Sequence, residues 1–282
     1  MKRTFSMMFA ATLVITGVIA TLQLNNRSSA QDTGAKPGEV KEYFPNVQTK
    51  LVSYKDGDAE CEGFLAWDAN IEGKRSVVLV VHDWMGRGKF DEQRSRELAS
   101  MGYLAFSVDV YGKNVRPKNR DEAAKAAGSW RGADRAPFRT RLKAGMTAAL
   151  TSDLADSDSV AAIGYCFGGT AVMELARSGA NLRGVAPFHG GYGSEPGGDA
   201  ANIKGKVLVL HGADDNFESV VALNKELKDA GVDYEIDLYG HTVHAFTNPK
   251  AGNDPSRGVA YNAEADVRSW ERMKDFIWEI FE

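Results

Sequence analysis

The feature that most constrains this chain is a series of short, continuous apolar runs. In Ser76-Val77-Val78-Leu79-Val80-Val81-His82 there is no alternation of polar and apolar side chains. A strand of that kind has no face to give to water, so both faces must be covered, as in a parallel sheet. Similar runs occupy 103–108, 160–163, 182–188 and 207–210, whereas 234–238 alternates and predicts a place near a sheet edge. Helical patterns separate them, at 91–101, 137–150, 166–178, 218–230 and 257–281. Pro137 suits a first helical turn. The last pattern puts Val267, Trp270, Met273, Ile277, Ile280 and Phe281 on one face, with its aromatic residues in the core. Strands alternating with helices predict an α/β fold: a mostly parallel central sheet flanked by helices, with right-handed crossovers. Ahead of it, 47–54 and 61–67 flank Lys55-Asp56-Gly57-Asp58, which predicts an antiparallel hairpin. With no internal repeat and no second linker, 45–282 is expected to form one domain.

The N-terminus reads differently. Lys2 and Arg3 precede an uncharged stretch with an apolar heart at 7–22, and Ser28-Ser29-Ala30 offers small residues before Gln31. This is the layout of a cleaved secretory signal over residues 1–30, with an uncleaved membrane anchor as the alternative. Residues 31–44 read as a flexible lead-in. The chain carries 34 basic and 38 acidic residues. Losing Lys2, Arg3 and Arg27 lowers the basic count from 34 to 31 against those 38 acids, so the mature net charge is −7. An acidic exported protein has no global basic field to attract nucleic acid. Its two cysteines are too few for a disulfide scaffold.

Ligands of open α/β sheets sit outside the carboxyl ends of the strands, so the residues that follow each strand carry the functional reading. After 160–163 comes Gly164-Tyr165-Cys166-Phe167-Gly168-Gly169. A nucleophile on a sharp strand-to-helix turn needs glycine two residues to either side, and the helix dipole beneath it favours an anionic sulfur. The bland alternative is a tight turn around a buried structural cysteine. After 207–210 comes His211-Gly212-Ala213-Asp214-Asp215-Asn216, where such enzymes keep an orienting acid. The Gly-x-x-Asp spacing favours Asp215; either aspartate could instead cap the next helix. After 234–238, His241 or His244 completes the order nucleophile, acid, base, and the following Ala245-Phe246 favours His244. The loop after the first buried strand, His82-Asp83-Trp84-Met85-Gly86, is placed to supply one oxyanion N–H at Trp84, and Phe167 the other.

Together, His82-Asp83-Trp84-x-Gly86, Asp109-Val110-Tyr111-Gly112-Lys113, the Cys166 elbow, the Gly212–Phe217 loop and His244-Ala245-Phe246 resemble the dienelactone hydrolase family of α/β-hydrolases. The resemblance spans roughly 45–282 and implies a carboxylic ester hydrolase acting on a small ester or lactone. It implies Cys166 as nucleophile, His244 as base and Asp215 as orienting acid, with no cofactor. Family members commonly carry glutamate at Asp83, a carboxylate taking part in thiol activation; aspartate is shorter by one methylene, and could instead order its loop. Members acting on dienelactones hold the substrate carboxylate with two arginines. Here Lys113 and neutral Asn248 occupy those places, which implies a weakened clamp, with Arg87 and Arg116 as the candidate replacements. Tyr111 is a candidate for lining the pocket.

Three rival readings accompany this one. Cys61 and Cys166 could pair as a disulfide. His82, His189, His211 and His244 could gather a metal with Asp83 and Asp214, although no tight ligand spacing supports it. The domain could also be a non-catalytic binding module.

Overall fold

The computed structural model describes residues 44–193 and 199–282. The expected signal at 1–30, and all of the lead-in except Phe44, lie outside the described residues. The expected hairpin is β1 (Val47–Asp56) and β2 (Ala59–Asp68), paired antiparallel along their whole length. Six more strands follow: β3 (Arg75–Val81), β4 (Leu104–Val108), β5 (Ala155–Tyr165), β6 (Gly184–Phe188), β7 (Lys206–Gly212) and β8 (Tyr234–Tyr239). They form one sheet in the order β1-β2-β4-β3-β5-β6-β7-β8. The strands from β4 to β8 in that order pair parallel, and β2 joins them antiparallel through β4. The alternating strand β8 does lie at an edge.

The long helices are α1 (Lys89–Ser100), α2 (Arg120–Trp130), α3 (Ala136–Leu150), α4 (Phe167–Arg177), α5 (Phe217–Asp229) and α6 (Ala263–Phe281). They cover both faces of the sheet. Val77, Leu79 and Val81 of β3 join a cluster with Phe138, Leu142, Val172 and Leu223 on one side. Val78 and Val80, pointing the other way, pack with Leu98, Met273, Ile277 and Ile280. Double coverage is why β3 is apolar at every position from Val77 to Val81. Among the described residues, no helix is long and apolar enough to cross a membrane.

From β3 the chain crosses to β4 on one side, then returns past β3 to β5 on the other. The loops after β3 and β5 therefore diverge, and the crevice between them is the switch point at which such sheets bind ligands. The Trp84 loop and the Cys166 elbow stand at its two sides.

Three sequence expectations need correction. Helix α2 was not foreseen. Asn119 caps it by accepting from the Glu122 N–H at 2.9 Å, and it buries only Ala123 and Ala127, too weak a stripe to register as amphipathic. Helix α6 starts at Ala263, behind an Asn262 cap, and not at Arg257. Pro255–Arg257 forms a separate 3-10 turn, ended by Gly258 in the left-handed region. Nor are all apolar residues of α6 in the core: Val267 is 61% exposed and Trp278 60%.

Glycines at the elbow are demanded by space. A Cβ on Gly164 would overlap the backbone of Gly168, and one on Gly168 would overlap the carbonyls of Val81 and His82. Gly164→Ala or Gly168→Ala should therefore destabilise the protein by about 2–3 kcal/mol or prevent folding. Gly128→Ala, in open space on α2, should stabilise it by up to about 1 kcal/mol. Urea unfolding midpoints check both signs.

Candidate active site

Strand β5 delivers Cys166 to a turn whose backbone is held in the left-handed region, with φ of 55°. Its N–H donates to the Phe188 carbonyl at 3.0 Å, and helix α4 starts at the next residue. Left-handed backbone is costly for a residue with a Cβ. It persists because β5 and α4 meet backbone against backbone at Gly164 and Gly168. Cys166 is half-buried. Cys61 is wholly buried in β2, and both thiols are free, which overturns the disulfide reading.

The other two members of the expected set arrive on separate loops. Asp215 follows β7, and His244 follows β8. His244 Nδ1 lies 2.7 Å from Asp215 Oδ2, and Cys166 acts electrostatically on the same ring. Asp215 Oδ1 accepts from the Asn216 N–H at 2.7 Å. Neither aspartate caps α5, because Asn216 does so by accepting from the Ser219 N–H. Asp214 is exposed. His241, the alternative base, is exposed as well, in a left-handed turn with φ of 55°. His244 is steadied by the chain beyond: its N–H donates to Gly258 O at 3.2 Å, and its carbonyl accepts from the Ala260 N–H at 3.1 Å.

Electrostatics separates His244 from the other buried histidines. Burial alone would lower its pKa, but the hydrogen bond to Asp215 and the neighbouring Cys166 reverse this and push it up to about 10. For Asp215, burial raises the pKa, yet the His244 hydrogen bond outweighs it and holds the carboxyl below its ordinary value. His82 goes the other way, lowered to about 4 by burial. Its ring is pinned: Nδ1 lies 2.6 Å from the Asp83 carbonyl, and Nε2 accepts from the Val110 N–H at 3.3 Å.

The Trp84 loop is a turn closed by the Gly86 N–H on the Asp83 carbonyl at 3.2 Å. Trp84 is the first central residue of that turn, so its N–H is not consumed by the bond that closes the turn. Phe167 opens α4, so its N–H has no partner within the helix. Tyr111 touches both. Its hydroxyl donates to the Trp84 carbonyl at 3.0 Å, and its ring centroid lies 5.2 Å from that of Phe167. It is buried and braces this corner.

The substrate-facing candidates are tied to neighbours. Asp83 orders its own loop: Oδ1 accepts from the Met85 N–H at 2.7 Å, and Oδ2 lies 3.5 Å from Asn248 Nδ2. Burial raises its pKa. Lys113 is committed to Glu62, 3.3 Å away on β2. Arg87 pairs with Glu62 and Glu92, and Arg116 with Asp109, so neither replaces the clamp as a free cation. The cations that flank the crevice come from the unforeseen α2 and its C-terminal end. Arg120 lies 5.7 Å from the Trp84 ring and Arg131 5.6 Å from the Phe167 ring. Asn119-x-x-Glu122 was the sequence signal that could have found them, as a capping box. Among the described residues, no three His, Cys, Asp or Glu side chains are arranged to hold a metal ion.

Two outcomes follow from these positions. A thiol reagent should modify one cysteine of the native protein quickly and two after unfolding, and Cys166→Ala should remove the fast one. Because His244 is raised from its unfolded value of about 6.5, its stabilising contribution is complete below that pH and lost as pH rises through about 10. The gap in unfolding midpoint between the wild type and His244→Gln should therefore shrink between neutral pH and pH 10.

The geometry agrees with comparisons to known proteins. The family model described as "Dienelactone hydrolase family" matches residues 61–281. A solved structure of a dienelactone hydrolase-like promiscuous phosphotriesterase from metagenomic libraries is 36% identical; the match covers 84% of this chain and 100% of that one, with a TM-score of 0.80. A second, named m3DLH, is 34% identical with the same coverage and a TM-score of 0.80. A Saccharolobus solfataricus homologue named as a carboxymethylenebutenolidase is 25% identical over 269 residues, covering 82% of this chain and 98% of that protein. The chain belongs to the dienelactone hydrolase family, and it is a hydrolase of that family.

Proposed function

We propose that the protein hydrolyses small carboxylic esters or lactones through a Cys166–His244–Asp215 triad and an acyl-cysteine intermediate. The observation that carries this reading is the 2.7 Å contact between His244 Nδ1 and Asp215 Oδ2, on a ring that also feels the elbow cysteine. Asp215 holds the imidazole in one tautomer, so that Nε2 faces the sulfur and takes its proton. The thiolate attacks the carbonyl carbon, and the negative oxygen of the tetrahedral intermediate rests on the N–H groups of Phe167 and Trp84. Collapse breaks the carbon–oxygen bond, and the leaving alcohol or enol takes its proton from His244. Water, deprotonated by His244, then attacks the thioester; the carbon–sulfur bond breaks and the thiol is regenerated. The cycle uses no cofactor.

The engagement of Lys113 with Glu62 and of Asn248 with Asp83 supports substrates that do not depend on a carboxylate clamp. Likeness to a promiscuous phosphotriesterase adds a neutral phosphotriester to the compounds to be tried. In the same reading the signal at 1–30 is cleaved, and the protein works in the periplasm or outside the cell; the intact mass of exported protein starting at Gln31 tests this.

The deciding experiment is a panel of short p-nitrophenyl esters, small lactones and a p-nitrophenyl phosphotriester, given to the wild type and to variants. Cys166→Ala should abolish turnover. Asp215→Asn should lower kcat/KM about a thousandfold while leaving the fold intact. Full activity in Cys166→Ala would mean another nucleophile.

A further inference from the structure

The end of β7 holds a group that the mechanism above does not use. His211 is fully buried, and among the described residues neither of its ring nitrogens has a hydrogen-bond partner of good geometry, the Asn216 backbone being only a weak acceptor beside it. A buried imidazole left this way costs stability, and an apolar residue of similar size would not. An unpaired polar group kept in a core calls for a reason. The position of His211 supplies one. Its Nε2 lies 3.7 Å from Asp215 Oδ2, the same oxygen that His244 Nδ1 meets at 2.7 Å. A small turn of either side chain closes that gap to a hydrogen bond.

We propose that His211 is a positioning residue for the Asp215–His244 pair, presenting Nε2–H to Asp215 Oδ2 as a second donor that keeps the carboxylate ionised and aimed at His244. The proposal rests on the triad reading above. An ionised carboxylate offers about four acceptor sites. Asp215 has one donor on Oδ1, from Asn216, and one on Oδ2, from His244. When His244 passes its proton to the leaving group its hold on Oδ2 weakens, and a donor waiting behind the carboxylate prevents it from swinging away.

The surroundings keep His211 neutral, so that it donates without placing a second positive charge beside Asp215. From the loop after β6, the Tyr192 ring lies tilted at 52° against it, 5.5 Å between centroids, and His189 neighbours it. From the loop after β8 comes His244, and from the turn before α5 come Asp215 and the Asn216 backbone. Burial, together with His244, depresses the His211 pKa, and Asp215 only partly offsets this. His189 is likewise held neutral, its Nε2 2.8 Å from Thr247 Oγ1 and its ring edge-on to His244 at 5.1 Å. The charge near Asp215 therefore stays on His244.

The test compares His211→Leu and His211→Gln with the wild type on the best ester of the panel. His211→Leu should lower kcat about tenfold with KM changed less than about twofold, and move the acid limb of kcat/KM to higher pH. Its unfolding midpoint should stay level or rise, which a merely structural histidine would not allow. His211→Gln, which keeps an N–H donor near the same place, should recover most of kcat. Nitrogen-15 NMR of the wild type should show His211 neutral with the proton on Nε2. Wild-type kcat and acid limb in His211→Leu, or a proton on Nδ1 in the wild type, would overturn the proposal. The NMR measurement decides even if the leucine variant does not fold. Cys166→Ala separates the two levels: activity surviving there removes the triad itself, whereas activity lost there but intact in His211→Leu removes only the role of His211.

Discussion

The contact on which the rest of this structure depends is between two stretches of backbone. Gly164 at the end of β5 and Gly168 in the first turn of α4 leave no room for a Cβ between strand and helix, and Gly168 also lies on the end of β3. That approach forces the intervening Cys166 into the left-handed region and lifts its side chain clear of the sheet. The same geometry sets the Phe167 N–H free at a helix start and draws the loop after β3 alongside it. Strain at one residue is held by packing spread over three elements.

Around that corner the protein sorts its charges. The cations nearest in sequence to the site, Lys113, Arg87 and Arg116, are tied to Glu62, Glu92 and Asp109. The buried histidines His82, His189 and His211 are all shifted toward neutrality by desolvation. Only His244 is shifted toward its charged form, because it alone bridges an acid and a thiol. The tendency to hold a proton is therefore concentrated in one ring. Other non-glycine residues with left-handed backbone, His189, His241 and Ala245, stand in the loops that frame that ring.

Much of this was legible in the amino-acid order. The unbroken apolar run at β3 announced a strand covered on both faces, and the glycine spacing around Cys166 announced the elbow. Asp215 and His244 followed late strands, and the structure brings them into contact. The features that escaped were those with weak local signals. Helix α2 buries two alanines and nothing larger. The start of α6 was blurred by a proline turn ahead of it. The exposed Trp278 shows that aromatic content alone does not mark a core position. His211 looked like an ordinary strand-end histidine, and its missing hydrogen bonds have no sequence signature.

What the sequence determined by itself was the α/β alternation, the hairpin and the chemical types of the three residues at the elbow and on the late loops. These depend on periodicity, on glycine at close approaches and on residue order, all of which are local. Only the tertiary structure decided which aspartate meets which histidine, and that Asn216 caps α5 and leaves Asp215 free to hold His244. It also decided that Lys113 turns to Glu62 and that α2 brings Arg120 and Arg131 to the crevice. Such pairings join residues far apart in the chain. They are selected by the competition among neighbours for a limited number of donors and acceptors, and that competition exists only once the sheet has brought its loops to one edge.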